Sequence, residues 1–250
     1  MFADVTSANI VGYDTTDLQL AGLSAGAAFV PVSGNVVDLI DITVTGYKDA
    51  QGNGTCEGGV QAQTLDAGGG TDKTYEWYDV DYGGGDVYYG WYPLNEEENI
   101  KRGDVTVQPG EGLWFYCTAS SYSFQSSGQV PTDGDVETNL QIAGLTIANP
   151  TPVKVDLVDC EVGGYKDEQG EGTCEGGVQV QTLDAGGGTL KTYEWYDVDY
   201  GGGDLYYGWY PLNEEENVKR DEVTLDPGAG LWSYCTASGY TFIWPKVDVK

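Results

Sequence analysis

The side chains of this chain that could do chemistry are carboxylates and aromatic rings, and they come in a set written twice. Thr74–Arg102 reads TYEWYDVDYGGGDVYYGWYPLNEEENIKR, and Thr192–Arg220 repeats it with Leu205 in place of Val87 and Val218 in place of Ile100. Asp79, Asp81 and Asp86, with Asp197, Asp199 and Asp204 in the second copy, lie in the sequence DVDYGGGD. This spacing is similar to the front of a calcium loop, where alternate carboxylates in a tight turn converge on one ion. The rear glutamate of an EF-hand is missing and the flanks read as strands, so a hairpin turn with solvated aspartates explains the same residues. Asp49–Glu57 (DAQGNGTCE) and Asp167–Glu175 (DEQGEGTCE) offer a second, weaker set of oxygen ligands, with Glu171 where the first copy has Asn53.

The rings are dense enough to raise contact with sugars or protein, since flat aromatic faces stack on pyranose rings and exposed aromatic patches mark contact surfaces. Alternation along a strand puts Tyr75, Trp77 and Asp79 on one face and Glu76, Tyr78 and Val80 on the other. Half of the rings therefore fill a core and half are left at a surface. The contact surface is expected at Tyr75, Trp77 and Trp91, and at Tyr193, Trp195 and Trp209 in the second copy.

Several chemistries are excluded. The chain has no histidine, so no Ser-His-Asp or Cys-His centre and no His-ligated zinc site can be built. The run Glu96, Glu97 and Glu98 is a solvated stretch of like charge rather than a poised acid and base. The glycine triplets are not phosphate loops, because no lysine follows in the required place and the surroundings are acidic. No catalytic residue is assigned, and the chain is not expected to be an enzyme. With 40 acidic and 11 basic residues, the net charge of -29 makes nucleic acid a poor partner and repels an anionic membrane. No stretch of 18 apolar residues spans a bilayer.

The elements that position these groups read as strands throughout. Gly, Tyr, Thr and Val in short alternating runs suit a pleated surface with glycine turns, and no segment keeps a helical period. The strongest local expectation is a hairpin, Lys73–Val80 and Val87–Tyr92 around the turn Asp81–Asp86. Further strands are expected at Ser7–Tyr13, Asp17–Leu20, Val36–Val44, Val60–Leu65, Val105–Val107, Leu113–Thr118 and Tyr122–Phe124. From Gly46 to Phe124 the chain aligns without a gap on Gly164–Phe242, with roughly 65 of 79 positions identical. The expected fold is all-β: two tandem homologous domains, each a β-sandwich or barrel, spanning residues 1–128 and 129–250 and joined by a turn or linker in Gln125–Asp135.

Two cysteines per copy, without a CxxC motif, read as one disulfide per domain, Cys56–Cys117 and Cys174–Cys235. Cys160 aligns with Ile42 and reads as an apolar core thiol. Such bridges place the protein in an oxidising, extracellular setting.

The segment Gly59–Tyr116, with GGVQAQTLDAGGGTDKTYEWYD, GWY and VTVQPGEGLWFY, and its copy Gly177–Tyr234 resemble a module of secreted Gly- and aromatic-rich β-repeat proteins of Verrucomicrobia and Planctomycetes type. The resemblance implies secretion and a β-fold, with no activity attached. These features point to an extracellular structural protein, a self-assembling subunit of a surface filament, layer or matrix whose partners are copies of itself. Edge-strand addition by Asp4–Tyr13 or Lys246–Lys250 would supply the assembly contact. The alternative is a glycan-binding, adhesin-like module. No cofactor is required by either reading, and calcium is the one ion the aspartate turns could take.

Overall fold

The computed structural model describes residues 11–18, 23–26, 37–38, 42–65, 70–94, 106–118, 121–130, 134–142, 144–167, 169–183, 188–212 and 223–247. The protein is all-β. The first copy contributes β1 (Val11–Asp17), β2 (Leu23–Gly26), β3 (Val37–Asp38), β4 (Thr43–Thr45), β5 (Cys56–Leu65), β6 (Thr71–Asp81), β7 (Val87–Pro93), β8 (Thr106–Val107), β9 (Gly112–Cys117) and β10 (Ser123–Gln129). The second contributes β11 (Val136–Asn139), β12 (Leu145–Ala148), β13 (Val155–Asp156), β14 (Glu161–Gly163), β15 (Cys174–Leu183), β16 (Thr189–Asp199), β17 (Leu205–Pro211), β18 (Thr224–Leu225), β19 (Gly230–Cys235) and β20 (Thr241–Trp244). A single 3-10 turn, Leu157–Asp159, interrupts the strands among the described residues, and no helix there is long and apolar enough to cross a membrane.

Both copies lay out the same sheets. A five-stranded antiparallel sheet runs β2-β9-β5-β6-β7 in one and β12-β19-β15-β16-β17 in the other. A three-stranded sheet, β1-β10-β4 or β11-β20-β14, covers one face of it, and a two-stranded ribbon, β3-β8 or β13-β18, completes each set. The hairpin β6–β7 forms as the alternating pattern predicts, with Asp81 opposite Val87. Its turn needs three successive residues at positive φ, Gly83, Gly84 and Gly85 at 82°, 69° and 104°, a path that side chains with a Cβ rarely follow. The Asp81 carboxylate caps this turn by accepting the Gly83 N–H at 2.7 Å.

The sheets enclose an aromatic core. Val60, Ala62, Tyr75, Trp77, Trp91, Leu113 and Phe115 of the large sheet meet Val44 and Phe124 of the small one. The indole N–H of Trp91 donates to the Ile42 carbonyl at 2.8 Å, and Trp209 does the same to Cys160 at 3.0 Å, so these buried donors are satisfied. Among the differences between the two cores is an exchange of large and small side chains. The first has a buried Phe115, stacked on Phe124 at 5.0 Å, and a buried Ser126; the second has a buried Ser233 and a buried Trp244, 4.5 Å from Phe242.

The copies also touch. Strand β2 lies against β12 and β19, and β12 against β9. The turn before β9 docks on the second copy: Asn139 Nδ2 donates to Gln108 Oε1 at 3.3 Å, Thr138 Oγ1 to the Pro109 carbonyl at 3.0 Å, and the Ala148 N–H to the Gly110 carbonyl at 2.8 Å. Glu111 then bridges to Ile147. Gly110 is required here, because a Cβ would stand 2.0 Å from Thr138 Oγ1 and 2.5 Å from Trp244 Nε1.

Three expectations change. Val11–Asp17 is one continuous strand at the edge of its sheet, where Ser7–Tyr13 and Asp17–Leu20 are expected as two, and it pairs Val11, Gly12 and Tyr13 with Gln129, Gly128 and Ser127 of its own chain. Strand β10 runs to Gln129, across the expected boundary at 128/129 and into the expected linker, because β1 supplies partners along its whole length. At the other end Val247 is buried against Val130, and the Lys246 N–H donates to Asp135. The expectation for Glu96–Glu98 lies outside the described residues, as do residues 1–10 and 248–250.

Candidate functional site

Register sets the parity of β6: Tyr75 pairs with buried Ala62 of β5 and Glu76 with Gln61, so Tyr75 and Trp77 face the core and Trp91 joins them from β7. The six rings expected at a contact surface, Tyr75, Trp77, Trp91, Tyr193, Trp195 and Trp209, are therefore core residues with 2% or less of their surface exposed. They pack on one another instead: Trp77 meets Trp91 edge-on at 5.4 Å, and Trp195 meets Trp209 at 5.3 Å.

The opposite face of the large sheet carries a second row of rings. Pairing aligns Tyr116 with Gln61, Gln61 with Glu76, and Glu76 with Tyr92 across four strands. Gln61 Nε2 donates to Glu76 Oε1 at 2.9 Å, and the Tyr78 hydroxyl donates to Glu76 Oε2 at 3.1 Å. The row is a hydrogen-bonded polar strip with a tyrosine at each end, Tyr116 being 42% exposed and Tyr92 largely covered. Tyr92 is backed by Tyr78 at 5.7 Å and Tyr88 at 5.4 Å, and Tyr82, whose hydroxyl donates to Glu57, extends the rings toward the hairpin tip. The second copy repeats the row as Tyr234, Gln179, Glu194 and Tyr210, with Gln179 donating to Glu194 at 2.7 Å and Tyr196 at 3.0 Å. Alternation alone divides these rings into two sets. The neighbouring strand β5, with polar Gln61 and Gln63 between apolar Val60 and Ala62, is the signal that says which set is outside.

The aspartates do not converge. Asp79 accepts the Tyr47 hydroxyl at 2.6 Å and pairs with Lys48 at 3.1 Å, and Asp197 does the same with Tyr165 at 2.6 Å and Lys166 at 3.6 Å. Asp81 and Asp199 cap their turns at 2.7 Å, and no group of three or more metal-ligating side chains is assembled among the described residues. Burial, together with the hydrogen bond to the carboxylate, pushes the Tyr47 and Tyr165 hydroxyls well above the ordinary tyrosine range. Tyr207, on the same edge, is pushed up to about 12 by burial and then by the charge of Glu161. Asp49 is likewise a turn former: its Oδ1 accepts the N–H groups of Gln51 and Asn53, which hold its carboxyl low.

The expected bridges Cys56–Cys117 and Cys174–Cys235 are absent; all five cysteines are buried free thiols. Cys117 lies opposite Val60, while the bulge between Glu57 and Gln61 leaves Cys56 about two residues further along its strand. At about 3.3 Å per residue and about 4.8 Å between strands this makes about 8 Å between Cα atoms, beyond the roughly 7 Å that a disulfide spans. Cys56 donates to the Trp77 carbonyl instead, at 3.6 Å, and Cys174 to that of Trp195 at 3.8 Å. Burial pushes the Cys160 thiol far up, in keeping with its place in the core. The cysteines thus lend no support to an oxidising compartment.

No family model matches the chain, and neither a curated protein nor a solved structure is found that matches it.

Proposed function

We propose that the chain is a non-enzymatic glycan-binding protein that works outside the cell through two equivalent sheet faces. The observation that carries this reading is the row Tyr116, Gln61, Glu76 and Tyr92 with its copy Tyr234, Gln179, Glu194 and Tyr210. Pyranose rings offer CH faces to aromatic rings and hydroxyls to amides and carboxylates, and this strip supplies both kinds of partner in one line. It crosses three strand spacings, about 14 Å at about 4.8 Å each, enough for more than one sugar. Glu76 is held by an amide and a phenol rather than facing a second carboxylate, which supports binding over glycosidic cleavage. No cofactor is needed.

A second reading, a self-assembling subunit of a surface filament, layer or matrix, is favoured by the hairpin tips. Tyr82, Val87 and Tyr89 are 54%, 61% and 47% exposed, and Tyr200, Leu205 and Tyr207 repeat the set, giving each molecule two like hairpin tips rich in exposed apolar groups. The net charge of -29 opposes association of such copies, which is why this reading ranks second.

A glycan array separates the two. The full chain should bind a defined subset of glycans, and the Tyr116→Ala/Tyr234→Ala double variant should lose that signal with its melting temperature unchanged. A blank array for the wild type, together with fibres or sheets by negative-stain electron microscopy, would establish the second reading in place of the first.

A further inference from the structure

We infer that the two tyrosine rows line opposite walls of one cleft and hold a single linear, uncharged polysaccharide between them. This rests on the glycan reading above and adds the geometry of the ligand. In β9 the buried residues Leu113, Phe115 and Cys117 face the core, so Trp114 and Tyr116 stand on the outer face; in β19 Leu231, Ser233 and Cys235 face the core, so Trp232 and Tyr234 stand outside. Trp114 and Trp232, equivalent residues of the two copies, meet edge-on with ring centroids 6.4 Å apart and planes at 87°. Rings that reach each other from the outer side of each sheet require the two outer faces to turn toward one another there.

Strand β12 shows the same closure. Leu145 and Ile147 join the core of their own copy, and Thr146 and Ala148 on the other side are also fully covered, where β2 and β9 lie against the strand. The Trp232 ring seals the joint against the backbone of Gly144, where a Cβ would come within 2.3 Å of it. The joint is therefore closed by the indole pair. Tyr116 and Tyr234 each follow two residues further along their strands, about 7 Å from the indoles by strand geometry. The walls carry the same chemistry, so a ligand that suits both must repeat its own units. Glu57, Glu76, Glu175 and Glu194 on these faces disfavour an anionic chain, and each already accepts a hydrogen bond from a phenol or an amide of its own face rather than standing open to a cation, so the occupant is an uncharged polymer. Joining two weak contacts in one ligand raises its affinity by roughly 10²–10⁴ once its length spans both.

The test is isothermal titration of the full chain with uncharged β-glucan oligosaccharides from the disaccharide to the octasaccharide. One long oligosaccharide should bind per chain, with affinity stepping up at least about tenfold above a threshold length. Tyr234→Ala alone should remove that step while short oligosaccharides still bind the first copy. Two long oligosaccharides bound independently, with no step in affinity, would overturn the shared cleft and leave the glycan reading standing. If no length binds, the glycan reading fails for this ligand class and the shared cleft fails with it. Unchanged melting temperatures for Tyr116→Ala and Tyr234→Ala keep loss of binding distinct from loss of fold.

Discussion

Thr138 accepts the indole N–H of Trp244 at 3.1 Å, 106 residues away in sequence, and donates its own O–H to the carbonyl of Pro109 at 3.0 Å. One hydroxyl thereby ties the core of the second copy to the docking turn of the first. Thr138→Val keeps the shape and removes both bonds. The variant should lose about 1–3 kcal/mol in urea denaturation, the cost of leaving a buried donor and acceptor unmatched. A midpoint equal to the wild type would mean that water replaces the hydroxyl.

Glu111 sits in the same joint, bridged to Ile147, where the second copy has Ala229. Burial raises its carboxyl above the ordinary range, and the hydrogen bond from the Gln108 N–H offsets part of this. A raised carboxyl pKa means that the folded chain holds a proton the unfolded chain has released. The stability contribution therefore falls as pH rises from about 4.5 through the folded value, then levels off. Glu111→Gln should match the wild type at pH 4 and exceed it in melting temperature near pH 7. Equal melting temperatures at both pH values would show the carboxylate to be fully solvated.

Five buried thiols make a chemical prediction. Without reductant, Ellman's reagent should find no reactive cysteine in the native chain and five after denaturation. A count of one in denaturant would restore the two bridges the spacing first suggested.

Calcium should leave the melting temperature unmoved at millimolar concentration, because Lys48 and Tyr47 already hold Asp79 and the backbone holds Asp81. A rise abolished by Asp81→Asn would return the ion to the hairpin turn.

Much of the fold could be read from the chain. The hairpin followed from alternation around three glycines, and the all-β class from tyrosine, threonine and valine in short runs. What could not be read depends on partners distant in sequence. Trp77 is a core residue because Val60 and Ala62 share its side of the sheet, a fact of register rather than of its own strand. Cys56 and Cys117 look like a pair in sequence and are separated by a bulge that the glycines Gly58 and Gly59 permit. Gln125–Asp135 reads as a linker from its serines, glycines and proline, yet β1 pairs with its first part as far as Gln129. Tyr116, Gln61, Glu76 and Tyr92 come from four strands, and nothing short of the strand order brings them into a row.

The exchange of Phe115 and Ser126 for Ser233 and Trp244 bears on how such a chain reaches its fold at all. Neighbouring repeats this alike invite misassembly, in which a strand of one completes the sheet of the other. Were β9 to enter the second sandwich, Phe115 would crowd the core that Trp244 fills, at about 1–3 kcal/mol. Were β19 to enter the first, Ser233 beside Ser126 would leave a void costing about 2–5 kcal/mol. Each copy carries a lock that the other's strand does not fit, so two nearly identical sequences sort themselves correctly within one polypeptide.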